Sequence, residues 1–198
     1  MRIISSYKLF LLTLFVLSAS ILTAQNTAEL NVHNQVVIGS DFYFDIYVKM
    51  TPDSDEFHLG NSDFVLDFKE ENFDNPRIEK VNIQEDANSP KVSSYSKNKM
   101  IAAIVNGRIV INGLGNASSN LAELERVAPK ILKEGKGTFL GRYKISSIAN
   151  HKGSANLTWR CEGQNPTQLL GHKNKDLKEK TIATKCNTIP NHPLSKIP

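Results

Sequence analysis

The sequence predicts an all-β protein, built as a two-sheet antiparallel β-sandwich with one short helix. Apolar and polar residues alternate repeatedly between Ala28 and Trp159, which is the period of half-buried strands. Turn-forming residues separate these runs, so eight or nine short strands fit a sandwich better than an alternating α/β arrangement. The 198 residues are 40% hydrophobic and 22% charged, a composition typical of a globular protein and not of a disordered one.

The N-terminal segment 1–24 has the pattern of a secretory signal peptide. Arg2 and Lys8 precede an apolar stretch that runs from Leu9 through Leu22, and the small residue Ala24 stands before Gln25. The stretch has about 14 residues, which is short of the ~20 that a membrane-spanning helix needs. We therefore expect cleavage after Ala24 and a secreted, cell-surface or periplasmic protein with no transmembrane segment; an uncleaved membrane anchor is the alternative.

Three strands are predicted in the first part of the chain. Residues 28–32 alternate between apolar and polar side chains, and the turn-rich stretch 34–40 follows them. Asp41–Met50 shows the clearest alternation, with a core face made of Phe42, Phe44, Ile46, Val48 and Met50. A third strand covers Asp63–Lys69. Weaker patterns indicate strands near 78–83 and 92–95.

The second part of the chain contains the clearest hairpin. Residues 100–105 and 108–112 flank Asn106-Gly107, the pair that best accepts the positive φ angles of a type I′ turn. Apolar residues in 119–134 follow helical spacing after a Ser or Asn cap, and Pro129 limits that predicted helix. Strands at 137–146 and 154–160 complete the predicted domain, which spans 25–165. Residues 166–198 are expected to form a basic, irregular tail.

Two cysteines, Cys161 and Cys186, are the only ones in the chain. An oxidising compartment permits them to form a disulfide, which would tie the tail to the sandwich. Two unpaired thiols are the alternative. A structural zinc site is disfavoured because it needs four ligands at close spacing.

The charge distribution argues against nucleic-acid binding. The chain has a formal net charge of +4, which becomes +2 once Arg2 and Lys8 leave with the signal peptide. Residues 173–198 contain six lysines and two acidic residues, a net of +4, so 25–172 carries −2. A nucleic-acid partner would require a basic surface on the folded domain.

Three segments of the chain resemble the cohesin-like sandwich domains of secreted bacterial proteins. They are the alternating strand Phe42–Met50, the stretch Leu59–Phe68 with Phe73 after it, and Gly141–Ile145 followed by Leu157–Trp159. The resemblance covers about Ala28 to Arg160 and implies a cohesin-like jelly roll. Cohesins dock protein modules and related carbohydrate-binding modules grip polysaccharides, so it also implies binding without catalysis and without a cofactor.

The candidate ligand-binding residues are three tyrosines. Tyr43 and Tyr47 alternate with the core residues of their strand and are expected to be exposed, where flat rings stack on sugars, and Tyr95 is the third candidate. The alternative is that they pack beneath a loop or the tail. Asp53, Asp55 and Glu56 are weak calcium candidates, since calcium prefers oxygen-rich loops, but they lack EF-hand spacing. The alternative is that these acidic residues are simply exposed to solvent.

No motif for catalysis is complete. Gly60-Asn61-Ser62-Asp63 lacks the second glycine of a nucleophile elbow, and the five histidines show no zinc-ligand pairing. The sequence therefore predicts a secreted, non-catalytic module that binds an extracellular protein or a polysaccharide. The alternative is an accessory secreted hydrolase whose active site has no recognisable motif.

Overall fold

The computed structural model describes residues 26–81, 100–114, 122, 128–148, 153–173 and 177–194. These residues form ten strands and one 3-10 turn at Glu70–Asn72, which confirms the predicted all-β class. The strands are β1 Thr27–Ile38, β2 Asp41–Met50, β3 Phe57–Asp67, β4 Ile78–Val81, β5 Met100–Val105, β6 Arg108–Gly113, β7 Thr138–Ile145, β8 Thr158–Trp159, β9 Gln168–Lys173 and β10 Glu179–Cys186.

The strands form two sheets that share β10. The first sheet has the order β4-β7-β2-β1-β10, and the second has the order β10-β9-β3-β6-β5, with β8 also paired to β3. Residues 179–182 of β10 pair with β9, and residues 183–186 pair with β1. A strand that changes sheets in this way makes a corner of a sandwich. The β1–β10 pair is parallel, in contrast to the wholly antiparallel arrangement that the sequence predicts.

The core lies between the two sheets. The inward residues of β2 are fully buried, as their alternation predicts, and β3 and β6 contribute the facing layer through Phe64, Leu66, Ile109 and Ile111. All of these side chains belong to one hydrophobic cluster. Burial of so many large apolar side chains is the main stabilising contribution to the fold.

The prediction of an irregular tail after residue 165 is wrong. β9 and β10 lie in the middle of the strand order, between β1 and β3. The predicted disulfide between Cys161 and Cys186 is confirmed, with Cα atoms 6.2 Å apart, and it joins the segment after β8 to the end of β10. The C-terminal region is thus part of the sheet rather than an appendage held by a tether.

The second half of the predicted helix at 119–134 is also wrong. Residues 128–134 run beside the start of β3, where the Leu59 N–H donates to the Pro129 carbonyl and the Ile131 N–H donates to the Phe57 carbonyl, both at 2.8 Å. Pro129 has no N–H for a helix, whereas this extended path buries Ile131 in the core. Residues 119–127, apart from Ala122, lie outside the described residues. So do the predicted signal peptide and the predicted strand at 92–95.

Candidate functional site

Tyr47 does not lie on the surface. It points away from the core as predicted, but it is only 4% exposed, so the expectation of an exposed ring is wrong. The ring packs edge-on to His33 and at a tilt to Phe139, with centroids 5.2 Å away in both cases. Burial raises the pKa of the Tyr47 hydroxyl, and the nearby Asp45 carboxylate raises it further. A ring enclosed in this way cannot stack on a sugar.

An ion pair closes the surface next to Tyr47. Asp45 is 1% exposed and accepts hydrogen bonds from Arg142 Nε at 2.6 Å and Nη2 at 2.9 Å. Asn34 Nδ2 donates to the second carboxylate oxygen at 2.7 Å. The hydrogen bonds to Asp45 raise the pKa of the Arg142 guanidinium above its usual value. This outer surface of the first sheet is therefore a packed, satisfied cluster, which indicates a structural role.

Of the other two tyrosines, the structure describes one. Tyr43 is half-buried on β2, opposite Lys144 of β7. Tyr95 lies outside the described residues. Because Tyr47 is enclosed, Tyr43 and Tyr47 do not form the predicted pair of exposed rings on β2.

The acidic residues of loop 51–56 are engaged by lysines. Lys173 Nζ lies 2.7 Å from Asp55, and Lys130 Nζ lies 2.8 Å from Glu56. These contacts lower the pKa of both carboxyls. Asp53 is exposed. Within the described ranges no three His, Cys, Asp or Glu side chains converge as a metal site would require, so nothing gathers the weak calcium candidates around one ion.

The outer surface of the second sheet has a different character. Its strands align in register, so that outward side chains from β5, β6, β3 and their neighbours form three cross-strand rows. We call this surface the docking face. Its rows are Ile101-Asn112-Asp63-Gln168, then Ala103-Val110-Val65, then Val105-Arg108-Asp67-Thr158.

The edge strand β5 and the middle row make up the aliphatic part of the docking face, which is partly exposed. Ile101 is 58% exposed and Val105 is 48% exposed, although both are large apolar residues. Ala103 lies between them on β5 and is also exposed, and Val110, its partner on β6, is half-buried. Exposed apolar side chains are ordinary when scattered, whereas neighbouring ones on a single sheet surface are typical of binding sites.

A shallow groove of about 290 Å³ crosses the docking face. Val65, Val105 and Val110 are its apolar residues, and six polar residues and a proline complete the lining: Asp63, Asn106, Arg108, Asn112, Asn165, Gln168 and Pro166. A second hollow of about 200 Å³ continues it past Asp63 and Gln168 toward the exposed Leu114. The face therefore combines aliphatic side chains, along β5 and the middle row, with hydrogen-bonding groups beside them, which we call the polar rim.

Hydrogen bonds hold the polar rim in place. Asp63 Oδ1 accepts from Asn112 Nδ2 at 2.6 Å across the β3–β6 pair. Asp67 lies between two arginines, at 3.0 Å from Arg160 Nη2 and 3.4 Å from Arg108 Nε. The Val65 N–H donates to Thr167 Oγ1 at 2.9 Å, which fixes the segment leading into β9. Asp63, Asn112 and Arg108 of the rim are thus held in place before any partner binds.

A buried amine lies elsewhere, on the edge strand β4. Lys80 is paired with Tyr143 of β7, and its Nζ has no hydrogen-bond partner among the described residues. Burial lowers the pKa of Lys80 to about 8. Lys80 lines none of the described hollows. Its buried amine therefore destabilises the fold and is not part of the candidate site.

The segments that resemble catalytic motifs have structural positions. Gly60-Asn61-Ser62-Asp63 lies within β3, where the register with β9 shifts between Leu59 and Ser62. Glu179 of β10 binds there, accepting from the Asn61 N–H at 2.7 Å and from Asn61 Nδ2 at 3.1 Å. Ser62 therefore lies in an irregular part of a strand, next to the backbone that Glu179 binds. A nucleophile elbow needs a sharp turn from a strand to a helix, and Ser62 does not lie in such a turn.

Sequence reasoning missed the docking face. The hairpin that carries most of it was predicted, but apolar residues occupy both faces of β5, so no outward surface stood out. Gln168, Asn165 and Pro166 come from the end of the predicted domain and the region predicted to be irregular. The sequence did contain a signal in Met100–Val105, where all six residues are apolar. A strand with one buried face needs an apolar residue only at every second position.

No family model matches this chain, and no curated protein matches it. Among solved structures, the chain is similar to a cohesin module of a family 33 glycoside hydrolase from Clostridium perfringens. The two sequences are 13% identical over 82% of this chain and 98% of that module, with a TM-score of 0.32. A likeness this distant carries no functional argument, and the sandwich described above rests on its own strand pairing.

Proposed function

We propose that this chain is a secreted, non-catalytic module that docks an extracellular protein through the docking face. The observation that carries the proposal is the set of aliphatic side chains exposed on the docking face. Ile101 and Val105 on the edge strand are about half exposed, and Val105 and Val110 line a groove whose other residues are mainly polar. Protein interfaces combine apolar contacts with a polar rim in this way. A β-sheet surface is preformed and suits a partner that also presents a preformed surface.

A protein partner is favoured over a polysaccharide by the chemistry of the groove. Sugar-binding surfaces use exposed aromatic rings, and no aromatic residue is among those that line the groove in the described part of the chain. Aliphatic side chains such as Val110 gain free energy by desolvation against another apolar surface, which a hydroxyl-covered sugar does not offer. The amide-rich rim can bond to the backbone of a protein partner equally well.

The non-catalytic part of the proposal rests on the carboxylates. A hydrolase of glycosidic bonds needs two carboxyl groups that face each other across the substrate. Within the described residues, Asp63 is the one carboxylate that lines the groove, and Asn112 already donates to it. The nearby Asp67 forms ion pairs with Arg108 and Arg160.

Secretion is supported by the disulfide and by the predicted signal peptide. A Cys161–Cys186 bridge is stable in an oxidising compartment. In the described ranges, no helix has the length and apolar character needed to cross a membrane. N-terminal sequencing of the exported protein should find Gln25 as the first residue, whereas a full-length chain retained in membranes would contradict export by cleavage.

Binding through the docking face can be tested with a matched pair of variants. Ile101 is 58% exposed on the face, and Ile38 is 60% exposed on β1 of the other sheet. The purified chain is immobilised and incubated with proteins from the culture medium of its source. We expect one defined protein to bind wild type and Ile38→Lys, and to bind Ile101→Lys at least ~10-fold more weakly, because loss of an interface hot spot costs more than ~1.4 kcal/mol.

Two results would overturn the proposal. One is an equal loss of partner binding in Ile101→Lys and Ile38→Lys. It would mean that the added positive charge weakens binding wherever it is placed, and not only on the docking face. The other is retention of a polysaccharide that Ile101→Lys leaves unchanged and that Asn112→Ala and Gln168→Ala abolish. The second result would reassign the rim as a sugar site and leave the protein-docking function without support.

A further inference from the structure

The sequence contains two Asn-Gly pairs, Asn106-Gly107 and Asn112-Gly113, only six residues apart. An Asn-Gly pair is chemically labile because the glycine nitrogen can attack the asparagine side-chain amide with little steric hindrance. By sequence the two pairs are equivalent. The structure places them in opposite environments.

Asn106-Gly107 lies at the exposed tip of the β5–β6 hairpin. Both residues have positive φ angles, 51° and 71°, as a type I′ turn requires. Asn106 is exposed and lines the groove of the docking face. A two-residue turn can open without breaking the rest of the ladder, because the next pair, Val105 and Arg108, still holds the hairpin.

Asn112-Gly113 lies inside β6 and is held on both sides. Gly113 pairs with Met100 of β5 and Ser62 of β3. The Asn112 amide nitrogen donates to Asp63 Oδ1 at 2.6 Å. Attack within this pair would require the central ladder to separate, which costs a large part of the global free energy of unfolding.

A carboxylate stands next to the turn. Glu70 of the 3-10 turn Glu70–Asn72 places Oε2 3.0 Å from the position that a side-chain carbon on Gly107 would occupy. The carboxylate therefore lies close to the Cα atom of Gly107. A base this close to the turn can take the proton from the Gly107 nitrogen through one water molecule as that nitrogen attacks.

We propose that Asn106 is a self-modification site that deamidates in the folded protein, with Glu70 as its positioned base. The Gly107 nitrogen forms a bond to Asn106 Cγ and gives its proton, by way of one water molecule, to Glu70. The Cγ–Nδ2 bond breaks and nitrogen leaves as ammonia, which carries that proton away. Water then opens the resulting five-membered imide, giving aspartate or iso-aspartate at this position.

The products change the proposed binding surface, and this consequence rests on the proposed function. Conversion of Asn106 to aspartate adds one negative charge beside Arg108 in the groove. Conversion to iso-aspartate adds a backbone atom to a two-residue turn, which no longer fits a type I′ geometry. Either product would alter docking as the protein ages outside the cell.

Trypsin separates the two pairs, so the chain contains its own control. Cleavage after Lys99, Arg108 and Arg126 gives peptide 100–108 with Asn106 and peptide 109–126 with Asn112. The folded full chain is held at mildly alkaline pH in ¹⁸O-labelled water and digested, and tandem mass spectrometry assigns the modified residue. We expect Asn106 to acquire the acid and its ¹⁸O at least ~10-fold faster than Asn112, since only the ladder pair needs the sheet to open. The urea-denatured chain should convert both at similar rates.

Variants test the role of Glu70. Glu70→Gln keeps the size of the side chain and should slow conversion of Asn106 about tenfold. This is less than the ~10²-fold or more that a well-positioned base supplies, because water also reaches the exposed turn. The Asn112 peptide reports folding in the same sample, because a misfolded variant would convert it faster. Asn106→Gly keeps a turn-compatible residue and should remove the product from peptide 100–108.

Equal rates for the two residues in the folded chain would overturn the proposal, and so would a folded chain that stays unconverted while the denatured chain reacts. An unchanged rate in Glu70→Gln would overturn the role of Glu70 as the base. These measurements do not involve a binding partner. Failure of the docking proposal would therefore not change their outcome, and the two proposals can fail independently.

Discussion

Asp45 and Arg142 face each other across β2 and β7 as a two-pronged ion pair, with the carboxylate far more deeply buried than the guanidinium. The side chain of Asp45 is 2% exposed and that of Arg142 is 36% exposed. The two hydrogen bonds measure 2.6 and 2.9 Å. The two partners are therefore not equivalent, because Arg142 can turn to water when its partner is removed and Asp45 cannot.

This asymmetry predicts unequal effects of single substitutions. Arg142→Met leaves a buried carboxylate with Asn34 alone and should reduce the free energy of unfolding by about 3 kcal/mol. Asp45→Asn keeps the shape of the site and leaves an arginine that can reach solvent, so it should cost about 1–2 kcal/mol. Urea denaturation of the two variants measures the difference. An equal or reversed order would show that the depth of burial does not control the pair.

Tyr47 should behave as a core residue although it points away from the sandwich interior. Tyr47→Ala removes a ring packed against His33 and Phe139 and should destabilise the fold by about 3 kcal/mol. Tyr43→Ala, at a half-buried position on the same strand face, is the matched control and should cost about 1 kcal/mol. Thermal melting compares them. Similar melting temperatures for the two variants would mean that the ring of Tyr47 contributes no more than the half-buried ring of Tyr43 does.

Lys80 should make stability depend on alkaline pH. Its pKa is about 8 in the folded protein and near 10.5 in the unfolded chain, so the unfolded chain binds more protons between these values. Stability therefore rises with pH from about 8 to 10.5, while below pH 8 the lysine is charged in both states and its burial penalty is fully present. Lys80→Met should stabilise the protein at pH 7 by about 1–2 kcal/mol, after allowance for partial exposure.

The free energy of unfolding of wild type is compared with that of Lys80→Met at each pH. The difference between them isolates Lys80, because the other lysines and the tyrosines titrate equally in both proteins. This difference should shrink as the pH rises from about 8 to 10.5. A difference that stays constant with pH would show that packing, and not the charge on the amine, separates the two proteins.

The disulfide should stabilise the C-terminal strands. Cys161 and Cys186 are 25 residues apart, and closing a loop of this size contributes about 3.5 kcal/mol in the chain-entropy description. Cys161→Ser with Cys186→Ser should lower the free energy of unfolding by that amount in urea. Wild type in reducing agent should match the double variant, and reducing agent should not change the variant further. Hydrogen exchange should show faster opening in β10 and β1, which pair next to Cys186.

Local alternation was sufficient for the strands whose two faces meet different environments. β2 was predicted with its observed bounds because every second residue enters the core. The hairpin of β5 and β6 followed from Asn106-Gly107, since a type I′ turn is encoded by two neighbouring residues. The disulfide followed from two cysteines in a chain with a predicted signal peptide. These features depend on residues close in sequence or on simple counting.

Tertiary pairing alone decided the rest. β10 buries only Ile182 deeply, because it turns the corner between two sheets, so its sequence shows no alternation and predicts an irregular tail instead of a strand. Residues 128–134 have helical spacing, but pairing with the start of β3 outweighs that weak local preference. The direction of Tyr47 was predicted correctly and its exposure was not, because His33 and Phe139 come from neighbouring strands. Long-range neighbours determine burial, and a period of two residues contains no information about them.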